Sequence, residues 1–423
     1  MSDLRVLVVG ASIAGPTAAY WLAKTGANVT VIERFPELRR GGQNIDIRTV
    51  GVTVMRKMEG MEPAVRAALH DIEGLAFVRQ DGKPIAIMKS TGDPDAQSLL
   101  SEYEILRGNL SRVIYDLTKD NERVKYIFGE QVASIEQRQD DGPVKVEFAN
   151  GTAPAEYDLV VACDGATSRT RATGFGCGVR DHVLPFNSWA AWFTIKEDLL
   201  EGSKIGKGYS GIGGRFVALG WSPNGGTKVV LMGIKPRDGS DATAEFRQAS
   251  KKGEGALKSY IAKEFRGAGW KADELLDGMA TSDDFYASEM VQVKLPQLHK
   301  GRFVVVGDAG YAPGPIGTGT SMALAGAYVL AGEIGKHKGD VAAGLRSYED
   351  RMKPIIDDLQ KIPPGVPNIM APQTAWRIEL RNYIFVLLCW LMKFQWLFAW
   401  MSGLFASSFG KDKSNLPDYE WEF

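Results

Sequence analysis

Short continuous apolar runs rich in valine recur along the chain, at Leu4–Val9, Val29–Ile32, Tyr157–Cys163 and Phe303–Val306. Runs of this kind, bounded by turn residues, mark strands buried on both faces of a parallel sheet. Between the first two lies an alanine-rich amphipathic stretch that stops at Lys24-Thr25-Gly26. Residues 4–34 therefore predict strand, turn, helix, strand, with Pro16 just inside the helix start, where its missing N–H leaves nothing unpaired. Val50–Leu117 reads as helix with a β interruption near Gly74–Met88. Alternating runs at Val124–Phe128, Val132–Arg138 and Val144–Phe148 predict strands, the last leading into an Asn150-Gly151 turn. From about Phe175 to Phe285 the pattern turns aromatic, glycine-rich and alternating. Trp189–Ile195, Gly214–Ser222 and Lys228–Ile234 predict antiparallel strands, with a helix around Ala242–Phe265. The last buried run leads through a glycine-rich loop to a helix over Ser321–Lys336.

These elements give an α/β chain with a discontinuous parallel-sheet body over 1–174 and 286–350. An antiparallel-sheet domain over 175–285 interrupts it, and a helical hydrophobic extension over 351–423 follows. At 423 residues the chain is too long for one core. Fifty Lys and Arg against 51 Asp and Glu leave a net charge of −1, which argues against a grip on nucleic acid. Cys163, Cys177 and Cys389 make neither a disulfide framework nor a metal spacing, so no metal is expected. With no signal-like segment ahead of the first run, a reducing, cytoplasmic setting is expected. Tyr383–Phe409 is dense in Phe, Trp, Leu and Met but broken by Lys393 and Gln395. A membrane span needs about 20 clean apolar residues. A span, peripheral membrane contact and packing against the body or a second copy all stay open, with packing favoured.

Three motifs carry chemistry. Gly10-x-Ser12-x-x-Gly15 follows a strand and opens a helix, and Glu33 ends the next strand. A helix N-terminus offers unpaired N–H groups to a pyrophosphate, small residues let the backbone approach it, and a carboxylate binds ribose hydroxyls. This is a Rossmann-like dinucleotide site, with serine at the fingerprint's second glycine; a purely structural turn is the alternative. Asp164-Gly165-Ala166-Thr167-Ser168-Arg169-Thr170-Arg171 follows another buried run and clusters donors in a tight turn, which alone also suits a surface turn. Gly307-Asp308 ends the last run, and Pro315, Gly317, Gly319, Thr320 and Ser321 lead into a helix. Asp308 there can accept from sugar-like hydroxyls.

Together, in this order, the three motifs resemble those of the single-component FAD-dependent aromatic monooxygenases, the para-hydroxybenzoate hydroxylase-like group that includes tetracycline-inactivating enzymes. The resemblance runs from about Leu4 to Tyr348 and leaves the C-terminus uncovered. It implies FAD as cofactor and a Rossmann-like FAD-binding domain carrying an inserted substrate domain. Gly10, Ser12, Ile13, Ala14 and Gly15 would hold the ADP half, with Glu33 and Arg34 at ribose and adenine. Asp164 and Asp308 would serve FAD, the latter at the ribityl chain. Arg107 and the 41–46 loop, with Gln43 and Asp46, would lie beside the flavin, and Val132 is counted among the contacts. Gly310-Tyr311 stands where many relatives have Ala-His, so Tyr311 receives no role.

The implied reaction uses NAD(P)H to reduce FAD, after which a flavin hydroperoxide passes one oxygen atom of O2 to an aromatic or polyketide-like molecule. No second dinucleotide unit is visible, so NAD(P)H would bind transiently. None of His70, His182, His299 and His337 sits in a motif, and the catalytic residues are left unassigned. Trp189, Trp192, Phe193, Phe216, Trp221 and Tyr286 are candidate pocket residues, with the domain core as the alternative for each. An oxidase, a membrane-associated epoxidase and a non-catalytic flavin carrier are the competing readings. Halogenation is disfavoured because no Trp-x-Trp-x-Ile-Pro motif is present.

Overall fold

The computed structural model of the chain describes residues 3–39, 42–69, 73–89, 103–138, 142–222, 225–236, 239–315, 317–361, 372–391 and 416–421. Its body is a six-stranded sheet with the order His299–Lys300 (β17), Phe303–Val305 (β18), Leu159–Ala162 (β11), Arg5–Val9 (β1), Asn28–Glu33 (β2) and Val124–Phe128 (β7). All neighbours are parallel except β17–β18. Val6, Leu7, Val8, Val160 and Val304 are fully buried, as runs without alternation require. Ala14–Lys24 (α1) crosses between β1 and β2. Gly319–Lys336 (α10) is buried from Thr320 to Ile334, which explains its apolar character all round. Val50–Lys57 (α2), Met61–Ala67 (α3), Arg107–Asp116 (α4) and Val341–Leu359 (α11) complete the helical cover, with short helices at Arg169–Phe175 (α5) and Asp308–Tyr311 (α9). Val132–Glu136 (β8), Val144–Phe148 (β9) and Ala155–Tyr157 (β10) form a side sheet, and Asn44–Asp46 (β3) pairs with Glu104–Leu106 (β6).

The second sheet has seven strands in the order Tyr286–Val293 (β16), Val183–Ile195 (β12), Thr227–Ile234 (β15), Arg215–Trp221 (β14), Ile205–Gly211 (β13), Gly74–Val78 (β4) and Pro84–Lys89 (β5). It therefore draws strands from outside 175–285. β4 and β5 come from the first body segment and β16 from the second, with β13–β4 the one parallel pair. On β15, Thr227, Val229, Leu231 and Gly233 are buried, while Lys228, Val230, Met232 and Ile234 are half-buried. The buried set packs under Ala244–Lys251 (α6), Glu254–Phe265 (α7) and Ala272–Thr281 (α8). The helix expected over 242–265 is two helices, parted at Gly253, whose φ of 105° a helix cannot hold.

Ala375–Leu391 (α12) docks on the second sheet, where Arg381 Nη1 donates to Ser210 Oγ of β13 at 2.7 Å and the Phe385 ring lies 5.1 Å from that of Phe77 on β4. Its other side exposes Trp376, Leu380, Tyr383, Ile384 and Leu387. Of the apolar stretch Tyr383–Phe409, residues 392–409 lie outside the described residues. Among the described residues no helix is long and apolar enough to cross a membrane.

Candidate functional site

Every sequence motif falls at the carboxyl end of a parallel strand: Gly10 after β1, Glu33 at the end of β2, Asp164 just beyond β11 and Asp308 after β18. Ligands of open α/β sheets bind in the crevice these ends form. Gly10 takes φ +108°, and a Cβ there would lie 2.7 Å from the Cys163 carbonyl oxygen. A Cβ on Gly15 would lie 1.8 Å from the Gly10 oxygen, so α1 can start this close to β1 only with glycine. The α1 N-terminus has no side-chain cap and no acid in its first turn, and its N–H groups are left for an anion. The carboxylate of Glu33 accepts from the backbone N–H of Ala11 at 2.9 Å and of Phe35 at 3.1 Å, which fixes it beside the turn. Arg34 is exposed and stacks on Phe35. Glu130, just ahead of Val132, donates its N–H to the Glu33 carbonyl oxygen at 2.9 Å, which places Val132 near this end.

Ser12 reaches across to α4, its hydroxyl 3.2 Å from that of Ser111. Arg107 lies one turn ahead of Ser111, so both share a face of α4. Asp308 is open to solvent yet densely walled by protein, as a residue at the bottom of a crevice is. Burial pushes its carboxyl up, and Arg107 works against that rise. Asp164 is likewise pushed up by burial, against hydrogen bonds from the hydroxyls of Ser168 and Thr170. The Ser168 hydroxyl also caps α5, accepting from Arg171 N–H at 2.8 Å.

The loop beside Arg107 is built by pairing. Arg107 N–H donates to the Gln43 carbonyl at 3.0 Å, and Asn44 faces Leu106 in the β3–β6 pair. Gly317, at φ +76°, brings its loop against Asp46, which Arg48 holds by an ion pair of 2.9 Å. Gln43 Oε1 and Asn44 Oδ1 are buried acceptors without a partner. Orphaned acceptors of this kind are what a ligand's N–H or O–H groups satisfy. Together with the uncapped α1 and α10 N-termini and Asp308, this donor and acceptor set fits FAD, which presents phosphates, hydroxyls and ring N–H groups. Thr318, the residue before α10, makes no capping bond. The side chain of Ser321 is committed elsewhere: it accepts from Arg48 N–H at 3.0 Å and donates to Arg48 O at 2.8 Å. Pro315, Gly319 and Thr320 flank the same helix start.

A cavity of about 1590 Å³ opens between this loop and the second sheet. Its walls include Asn44, Glu104, Leu106, Trp192, Trp221 and Lys228. The structure thus brings Trp192 and Trp221 to the cavity, and Phe193 touches its edge. Tyr286 backs Trp192, with ring centroids 5.7 Å apart. Two candidates are corrected. Trp189 points the other way, buried among Phe246, Tyr260 and Phe265 under the helices, because residues two apart along β12 share a face. Phe216 packs on Phe77 beyond the cavity. Among the described residues no histidine lines the cavity. His299 and His337 sit against α11, and His70 lies outside the described residues.

Sequence reasoning missed Glu104 and Lys228. Glu104 Oε1 accepts from Asn44 Nδ2 at 2.8 Å, and burial, helped by Asp46 directly across the pair, pushes its carboxyl up to about 7. Burial pulls the Lys228 ammonium down to about 8, against the pull of Asp284 and Glu104. The available signal was a charged residue on a strand whose alternation turns it away from one core, informative only once a second wall is known to cover that face. Arg171, in contrast, is structural: its guanidinium donates to the carbonyls of Ala166, Ala309 and Val179 at 3.0, 2.8 and 2.7 Å.

Residues 3–361 match the profile of the family described as FAD binding domain. The chain is 34% identical over 408 residues to FAD-dependent monooxygenase asL4 of Sarocladium schorii, covering 91% of this chain and 92% of that one. It is 30% identical to Monooxygenase CTB7 of Cercospora beticola, covering 99% and 98%. Among solved structures it is similar to tetracycline destructase Tet(55), with a TM-score of 0.76, 28% identity and 99% of both chains covered.

Proposed function

The chain belongs to the FAD binding domain family of flavin-dependent monooxygenases, and on that premise we propose that it takes electrons from NAD(P)H and hydroxylates a flat, polycyclic aromatic or polyketide-like molecule. The observation that carries this is the convergence of the Gly10 turn, Asp308, Arg107 and the orphaned Gln43 and Asn44 acceptors beside a cavity of about 1590 Å³ with two tryptophans in its wall. The name of one solved relative, a tetracycline destructase, supports the same substrate class.

FAD, when bound, supplies the redox chemistry of oxygen insertion. The chain's own residues have the remaining tasks. Gly10, Ser12, Ile13, Ala14 and Gly15 present backbone N–H groups to phosphate, Glu33 and Asp308 accept from sugar hydroxyls, and Arg107 balances the charge of Asp308. Gln43, Asp46 and the Gly317–Gly319 loop would hold the ring side. Trp192 and Trp221 offer flat apolar surface to a flat substrate and help keep water from the reacting centre.

The purified protein should show flavin absorbance and consume NAD(P)H faster when polycyclic phenols are added, with one atom of labelled O2 entering the product. Peroxide formed without NAD(P)H would point to an oxidase instead, and flavin bands with no turnover on any phenol would leave a carrier. The exposed stripe of Trp376, Leu380, Tyr383, Ile384 and Leu387 on α12 supports peripheral membrane contact. The full chain should then float with anionic lipid vesicles, and a Leu380→Glu, Leu387→Glu double variant should float less. A wild-type chain that stays in the soluble fraction removes this part.

A further inference from the structure

Among the described residues, the cavity wall holds a buried cation without a hydrogen-bond partner. Lys228 Nζ is buried, lines the cavity wall and has no hydrogen-bond partner. Its position follows from strand alternation. Lys228 sits opposite Thr194 on β12 and Gly220 on β14, with Val230 as its same-face neighbour and Trp192 opposite that. Thr194 does not bond it; its N–H and hydroxyl both donate to Asp284, at 2.8 and 2.6 Å. Both Asp284 oxygens are thereby engaged. Gly220 brings no side chain to this face, and a Cβ there would lie 3.8 Å from Lys228 Cβ. From the other wall, β6 presents Glu104, which is held by Asn44 and flanked by Asp46 and Arg48. Neither Glu104 nor Asp284 makes an ion pair with Lys228, although both attract it.

A buried ammonium without a partner costs stability unless something answers it. Beside it on the sheet stand one flat ring, Trp192, and the apolar Val230 and Ala218, while the carboxylates of Glu197, Asp277 and Asp283 also line the cavity. The ligand that completes this site is thus a flat conjugated ring system with an anionic oxygen at one edge. On the flavin monooxygenase reading given above, we propose that Lys228 selects the substrate, its ammonium pairing with an ionised phenol or enol oxygen of a polycyclic molecule. Glu104 faces it as the proton acceptor. The O–H bond of the substrate hydroxyl breaks, its electron pair stays on that oxygen beside Lys228, and the proton joins the Glu104 carboxylate. A carboxyl raised toward 7 by burial and by Asp46 is matched to that exchange with a phenol better than a free carboxylate is. An oxyanion also enriches the ring in electrons, which favours attack on an electrophilic oxygen. Lys228 and Glu104 would therefore set both recognition and reactivity.

The test uses the FAD-loaded full chain. A dihydroxyanthraquinone and a dihydroxynaphthoquinone are titrated against their own dimethyl ethers, with flavin absorbance as the signal. Methylation removes the ionisable proton and adds a methyl group, whose bulk is the same in every variant, so the change from wild type to Lys228→Met isolates the charge. The hydroxyl forms should bind about ten- to hundredfold tighter than the ethers, the range expected of a charge-assisted hydrogen bond. In Lys228→Met that preference should fall to about twofold. Lys228→Arg should retain part of it, because the charge is kept. Glu104→Gln should shift the onset of the preference upward in pH, read below about pH 8, where Lys228 keeps its proton. Equal binding of hydroxyl and ether forms by the wild type, no binding of any member, or an undiminished preference in Lys228→Met overturns the proposal. FAD content and thermal midpoint are measured on each variant, so that misfolding is seen as such. Loss of FAD binding or of NAD(P)H oxidation in the wild type would instead count against the family-level reading, which keeps the two failures apart.

Discussion

Among the residues of the site, Lys228 carries the clearest conflict between stability and use. Its ammonium is pulled down to about 8, first by burial, while Asp284 and Glu104 pull the other way. A free lysine titrates near 10.4. Below about pH 8 the folded and unfolded chains both hold the proton, and the cost of burying the charge is present in full. As pH rises from about 8 toward 10 the folded chain gives up its proton first, and the cost fades. Lys228→Met, close in length and apolar, should therefore stabilise the ligand-free protein by about 1–3 kcal/mol near pH 7. The gain should shrink toward zero above about pH 10. Denaturant unfolding across this range measures it. A destabilised variant, or a gain that does not change with pH, would show that the ammonium is solvated rather than buried and unpaired. Arg171 shows the opposite economy: its guanidinium is as buried, but three carbonyls receive it, so it holds α5 to α9.

At the scale of elements, the βαβ opening was legible because each of its signals is local. The apolar run of β1, the glycines at 10 and 15 and the stop at Gly26 all lie within 30 residues and agree with one another. Strands β12, β14 and β15 were legible from alternation. Their long-range partners were not. β4 pairs with β13 between residues 74–77 and 205–208, and nothing in the order of the chain says that a hairpin from the first body segment closes the edge of the second sheet. β13 itself, Ile205–Gly211, carries three glycines, which blurs its alternation. β16 has five half-buried residues in a row, because it is an edge strand and reads as polar. The cofactor crevice was readable from motifs, since each lies at a strand end. The full lining of the cavity was not, because its wall joins β6, β12 and β15, elements that meet only in the folded chain. Trp189 and Trp192 illustrate the limit: equally aromatic and three residues apart, they lie on opposite faces of one strand, and only burial tells core from cavity.

In the whole molecule, the body and the second sheet meet over the cavity, while the end of the chain returns to the far side of the body. Trp421 packs on Trp21 of α1, with ring centroids 4.5 Å apart, and lies beside Tyr328 of α10. Tyr328 donates to the Pro417 carbonyl oxygen at 2.8 Å, and Tyr419 donates to Glu333 at 2.7 Å. Glu333 is fully buried and is also paired with Arg351 of α11. Gly332 makes the contact feasible, since a Cβ there would lie 2.1 Å from the Tyr419 ring. Asp418 adds an ion pair to Lys57 of α2. Residues 416–421 therefore clamp α1, α2 and α10 together. α1 and α10 are the two helices whose opposite ends face the crevice, but those ends are fixed independently, by Gly15 against Gly10 and by Ser321 against Arg48. The clamp should thus matter for stability more than for cofactor binding. Trp421→Ala removes a half-buried indole and should cost about 2 kcal/mol, lowering the thermal midpoint by a few degrees. FAD content and FAD affinity should stay within about twofold of the wild type, roughly 0.4 kcal/mol. Gly332→Ala, which drives a methyl into Tyr419, should lower the midpoint in the same way from the opposite side of the contact. Scanning calorimetry with parallel FAD titration separates the outcomes. A variant that loses FAD at an unchanged midpoint would mean that the tail acts on the crevice through α1 and α10, and an unchanged midpoint with normal FAD would mean that it clamps nothing.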